Sequence, residues 1–130
     1  MAVLIDTDLL IAAERGDLTG LTAVADEERA VSVITVSELL HGVWRSAEPE
    51  GIWRGAFVER LLASLEPIPI TDQVARIHAA VSANLVTRGE MIGAHDLWIA
   101  CTALTHGYGV LTGNAADFSR VPGLRVVSPS

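Results

Sequence analysis

Lysine is missing from this chain of 130 residues, whose nine basic residues are all arginine. Without lysine there is no amine for a Schiff base, no P-loop lysine for nucleotide phosphates and no lysine to pair with a phosphoaspartate. Cysteine is nearly as scarce. The lone Cys101 excludes an internal disulfide and fits a reducing compartment. It shares a helical spacing with Leu97, Ala100 and Leu104, the pattern of a buried structural thiol. No apolar run approaches the roughly 18 residues needed to cross a bilayer. The opening Met1 to Asp6 has neither the basic segment nor the small-residue cleavage site of a signal peptide. These absences predict a cytoplasmic protein with no membrane partner.

Half of the residues are apolar and 19% are charged, the balance of a chain that folds around a core. The length fits one domain, residues 1–130, and is too short for two. Sixteen acidic residues against nine basic ones leave a net charge of −7. Phosphate binding ordinarily needs a cationic surface, so this sign opposes a nucleic-acid partner. The opposition weakens if several acids belong to one site that metal ions neutralise.

Apolar runs and helical periodicities alternate along the sequence. Strands are predicted at Val3–Asp6, Ala30–Ile34, Pro67–Ile70, Tyr108–Thr112 and Leu124–Val127. The proline-containing segment suits a sheet edge. Helices are predicted at Asp8–Arg15, Leu18–Glu28, Thr35–Arg45, Ile52–Leu65, from Thr71 or Asp72 to Thr87, and at Asp96–His106; Gly16, Gly89 and Gly107 close three of them. Such alternation predicts an α/β fold: a mainly parallel central sheet flanked by helices on both faces.

Four acids then take on meaning. Asp6 ends the first strand, Glu38 follows the run Val31 to Val36, Asp96 opens a helix, and Asp117 follows Val110-Leu111-Thr112. Parallel strands would gather all four at the carboxyl edge of one sheet, where open α/β sheets place their binding crevice. Crowded carboxylates repel, which implies a divalent cation or retained protons. Each acid also has an ordinary use. Thr35-Val36-Ser37-Glu38 reads as a capping box, Asp96 suits the positive end of a helix dipole, and Asp117 suits a turn. Asp8 could open the first helix. His78 falls on an apolar helix face, and His41, His95 and His106 show no metal-ligand spacing. Trp44, Trp53 and Trp98 suit core or dimer packing more than base stacking.

Four segments together carry a family resemblance: Leu4-Ile5-Asp6-Thr7-Asp8-Leu9-Leu10-Ile11, Ile34-Thr35-Val36-Ser37-Glu38-Leu39-Leu40-His41-Gly42, Gly93-Ala94-His95-Asp96-Leu97-Trp98-Ile99-Ala100-Cys101-Thr102-Ala103-Leu104, and Val110-Leu111-Thr112-Gly113-Asn114-Ala115-Ala116-Asp117-Phe118. In this order they resemble the PIN-domain nucleases, and within them the VapC-type toxins of bacterial toxin–antitoxin pairs. The resemblance implies a PIN fold and a metal-dependent endoribonuclease. It carries Asp6, Glu38 and Asp96 over as catalytic, metal-binding residues for Mg2+ or Mn2+. Many relatives have an acid at the position of Asn114, so either Asp117 or Asn114 fills the fourth place. The resemblance further implies an RNA substrate, a homodimer and a VapB-type antitoxin lying over the acidic groove. Two rivals remain at this level. Asp6-Thr7-Asp8 imitates the opening of haloacid-dehalogenase-like phosphatases, which normally need a lysine this chain lacks. A PIN-like module that binds RNA or protein without cutting is the other.

Overall fold

β-Branched and aliphatic runs supply the sheet. In the computed structural model, which describes residues 1–129, β1 (Ala2–Ile5), β2 (Glu28–Ser32), β3 (Glu66–Ile68), β4 (Gly109–Leu111) and β5 (Val126–Val127) pair in the order β3-β2-β1-β4-β5. All four pairings are parallel. Between them run α1 (Thr7–Glu14), α2 (Thr19–Ala23), α3 (Val33–Arg45), α4 (Glu50–Ala63), α5 (Asp72–Arg88), α6 (Ala94–His106) and α7 (Ala115–Phe118). Successive strand residues point to opposite faces, and the sequence fills both with aliphatic side chains. Leu4, Ala30, Ile68 and Val110 join one core with Val74, Leu85 and Leu97 of α5 and α6. Val3, Ile5, Val31 and Leu111 join a second core with Leu10, Leu39 and Val58 of α1, α3 and α4. Helices therefore cover both faces, as a parallel sheet requires.

Several caps follow the sequence closely. Thr71 accepts a hydrogen bond from the Val74 amide at 3.3 Å and starts α5. Gly89 and Gly107 end α5 and α6 at φ 67° and 69°, the left-handed region where a Cβ is penalised.

Most elements shift by one or two residues at their ends, and two shifts have a visible cause. The helix expected over Leu18–Glu28 shrinks to α2, because Glu28 and Arg29 pair with Ala2 and Val3 in the sheet; tertiary pairing outweighs local propensity there. The strand expected to reach Ile34 stops at Ser32, whose hydroxyl accepts from the Ile34 amide at 3.0 Å and caps α3. This shift overturns the capping-box reading of Thr35 to Glu38. Thr35 lies inside the helix, and Glu38 sits in its second turn, too far along to reach an N-cap amide.

Candidate active site

The sheet's topology reverses between β1 and β4: β2 and β3 lie on one side of β1, β4 and β5 on the other. Open parallel sheets form a crevice above such a point, at the carboxyl ends of the strands. Asp6 leaves β1 there, and its backbone amide still bonds the Leu111 carbonyl of β4 at 2.9 Å. Its carboxylate caps α1, accepting from the Thr7 amide through Oδ1 at 2.8 Å, and from the Thr112 hydroxyl through Oδ2 at 2.8 Å. Thr112 in turn accepts from the Asn114 amide at 2.8 Å. These bonds fix the acid in a buried position, 5% exposed.

Glu38 approaches from α3. The Thr7 hydroxyl donates to its Oε1 at 2.7 Å and lies 3.1 Å from the Thr35 hydroxyl, so two threonines set the rotamer of one acid. On the other side His95 Nδ1 stands 3.4 Å from Glu38 Oε2. Asp96 occupies the first turn of α6. Asp8 projects from α1, where its Oδ2 accepts from the Gly113 amide at 3.1 Å. A cleft of about 280 Å3 is lined by Asp6, Thr7, Asp8, Ile11, Glu38, Asp96 and Asn114. Asp117 lies one residue farther out, accepting from Asn114 Nδ2 at 3.0 Å. Sequence positions 6, 38 and 96 thus share one cleft, Asn114 faces it directly, and Asp117 stands behind the amide. Thr7, Thr35 and Thr112, which hold the acids, lie within the family segments, but nothing in their residue type marked them as partners of the acids.

The electrostatics follow from the crowding. Burial, helped by Asp8 and Asp96, raises the Asp6 carboxyl from 3.8 to about 7, against the lowering effect of the Thr112 and Thr7 hydrogen bonds. Burial and the charges of Glu38, Asp117 and Asp8 raise Asp96, while the Asn114 hydrogen bond lowers it. The cleft therefore concentrates acidic groups, with no arginine among its lining residues. Its donors are hard oxygens, the ligand type of Mg2+ and Mn2+. Among the described residues, no three His, Cys, Asp or Glu side chains are arranged as a finished metal-ligand set. The cluster fits a hard cation by donor chemistry and by its crowded acids, and stands as an open acidic cleft rather than a closed cage.

Other candidates keep structural roles. His78 stacks on Trp98, ring centroids 3.6 Å apart, and burial lowers its pKa. Cys101 is buried, which pushes its thiol up to about 11 and removes it as a nucleophile. Trp44 and Trp53, by contrast, are 87% and 74% exposed and serve no core.

A parallel α/β domain with acids gathered over its topological switch point is the class this geometry defines. Comparison with known proteins gives the family. The PIN-domain model matches residues 3–124. The chain is 36% identical to Ribonuclease VapC1 of Rickettsia felis over 131 residues, covering all of this chain and 98% of that protein. It is 34% identical to the tRNA(fMet)-specific endonuclease VapC of Salmonella typhimurium over 96 residues, covering 74% and 71% of the two. Among solved structures, a DNA-bound VapBC from Salmonella typhimurium superimposes with a TM-score of 0.88 at 26% identity, covering all of this chain and 99% of the other. The chain belongs to the PIN-domain family, in its VapC branch.

Proposed function

We infer that this chain is a metal-dependent endoribonuclease, the toxin of a toxin–antitoxin pair. The observation that carries this reading is the meeting of Asp6, Asp8, Glu38 and Asp96 in one cleft, in a chain related over its whole length to a VapC ribonuclease. Asp6 and Asp96 would hold Mg2+ or Mn2+, with Glu38 and either Asn114 or Asp117 completing the set. The ion, when bound, supplies charge neutralisation and a water of lowered pKa. The protein's own part is placement. The Thr112 and Thr7 bonds keep Asp6 from rotating away, and the Thr7 hydroxyl fixes Glu38 where it can accept the attacking water's proton. Attack of the water at phosphorus breaks the bond to the 3′ oxygen, which takes a proton from solvent while Glu38 releases the one it accepted; the products carry 5′-phosphate and 3′-hydroxyl ends.

The solved neighbours are VapBC complexes, which supports a VapB-type antitoxin as partner; we place its covering segment over the acidic cleft and assign a homodimer to the toxin. The rival reading, a non-cutting module, predicts RNA binding without products. Incubating the protein with RNA and Mg2+ decides between them. Cleavage that chelator abolishes, and that Asp6→Asn or Asp96→Asn lowers by roughly a hundredfold or more, supports the nuclease. Binding without cleavage would remove it.

A further inference from the structure

Beside the acidic cleft lies a second pocket, of about 410 Å3, lined by Thr7, Ile11, Ser37, Glu38, His41 and His95. We propose that it is the subsite for a nucleobase of the RNA strand next to the bond that is cut. This proposal rests on the ribonuclease reading and deepens it. The two cavities share Thr7, Ile11 and Glu38 as a common wall, so a phosphate drawn into one brings an adjoining base to the mouth of the other.

The lining selects the chemistry of the occupant. No arginine contributes to the pocket, while the Glu38 carboxylate does; a second phosphate would meet repulsion from that acid. A flat, uncharged ring meets complementary surfaces instead. Ile11 of α1 supplies an apolar floor, and its side chain is anchored in the core beneath. Two imidazoles reach the pocket from different helices, His41 from α3 and His95 from α6. Both are exposed, His95 by 62% of its side chain. The contact with Glu38 at 3.4 Å restrains the His95 ring. Aromatic rings on which unstacked bases lie are the usual means of holding single-stranded RNA. Ser37 and His41, four residues apart on one face of α3, add a hydroxyl and a ring nitrogen for the polar edge of a base. Base identity is read by such groups, and the pocket would therefore set part of the cleavage preference.

The test is digestion of a random-sequence RNA pool by wild-type, His41→Ala and His95→Ala proteins, with sequencing of the product 5′ ends. Wild-type protein is expected to show a base preference at a position adjoining the cut. His95→Ala and His41→Ala should flatten that position alone, and on a preferred oligonucleotide raise KM on the order of tenfold with a smaller effect on kcat. His95→Phe, which keeps a ring, should recover most of the affinity. An unchanged cut-site profile in both alanine variants would overturn the proposal and leave the pocket to a side chain of a partner protein. If wild-type protein leaves the pool uncut, the nuclease reading fails separately, and filter binding of the same pool judges the pocket. Weaker retention by His95→Ala then supports a base subsite; equal retention overturns it.

Discussion

Asp6 is held by opposing influences: burial and neighbouring acids raise its carboxyl to about 7, while the Thr112 hydroxyl and Thr7 amide favour its charged form. A raised value means that the folded protein binds this proton more tightly than the unfolded chain does. The stability it contributes is intact below the ordinary 3.8 and is lost as pH climbs through about 7. Metal-free protein should therefore melt at lower temperature at about pH 8 than at about pH 5. Asp6→Asn keeps the bond to the Thr7 amide without the charge, so most of this slope should vanish and the variant should gain about 1–3 kcal/mol at the higher pH. Thermal melts in chelator at both pH values check this; parallel slopes for variant and wild type would show that Asp6 carries no unpaired charge. The same residue illustrates what a sequence discloses. An acid ending a buried apolar run marks itself, whereas Thr112, the partner that fixes it, lies 106 positions away in a segment that does not disclose its pairing with Asp6.

At the scale of the element, α3 shows how local reasoning goes astray. Thr35 and Glu38 have the spacing of a capping box, but Ser32 takes the cap and moves Glu38 into the helix body. Glu38→Gln keeps an acceptor for Thr7, so stability should change by less than about 0.5 kcal/mol while cleavage falls steeply; denaturation alongside kinetics checks both, and undiminished cleavage would remove Glu38 from the site. The loop after β4 gives a complementary case. A Cβ on Gly113 would stand 2.7 Å from Asp8 Oδ2. Gly113→Ala should push this acid out of the cleft, lowering activity about tenfold at a stability cost of about 1 kcal/mol. Kinetics alongside chemical denaturation separate the two effects, and undiminished activity would show that Asp8 is dispensable. Long periodic helices such as α5 and α6, with threonine or glycine at their ends, were legible from spacing alone. The short α2 was not, since pairing of Glu28 and Arg29 with β1 decides where it stops.

For the molecule as a whole, strand–helix alternation was enough to place the acids at one edge, because parallel strands joined by crossovers all point the same way. The strand order was beyond that reasoning: nothing local to β4 says that it pairs with β1 rather than with β3. That order creates the switch point and brings Asp6 and Thr112 side by side. The fold thus concentrates acidic groups in one cleft, within a chain already at −7. A bound cation would relieve the stress and displace the proton that Asp6 retains near neutrality. Calorimetric titration of metal-free protein with Mn2+ near neutral pH, in buffers of different ionisation enthalpy, measures binding and proton release together. The expected result is saturable binding with release of a proton, both absent in Asp6→Asn/Asp96→Asn. Heats that do not saturate, or that are the same in the double variant, would contradict a cation site in this cleft.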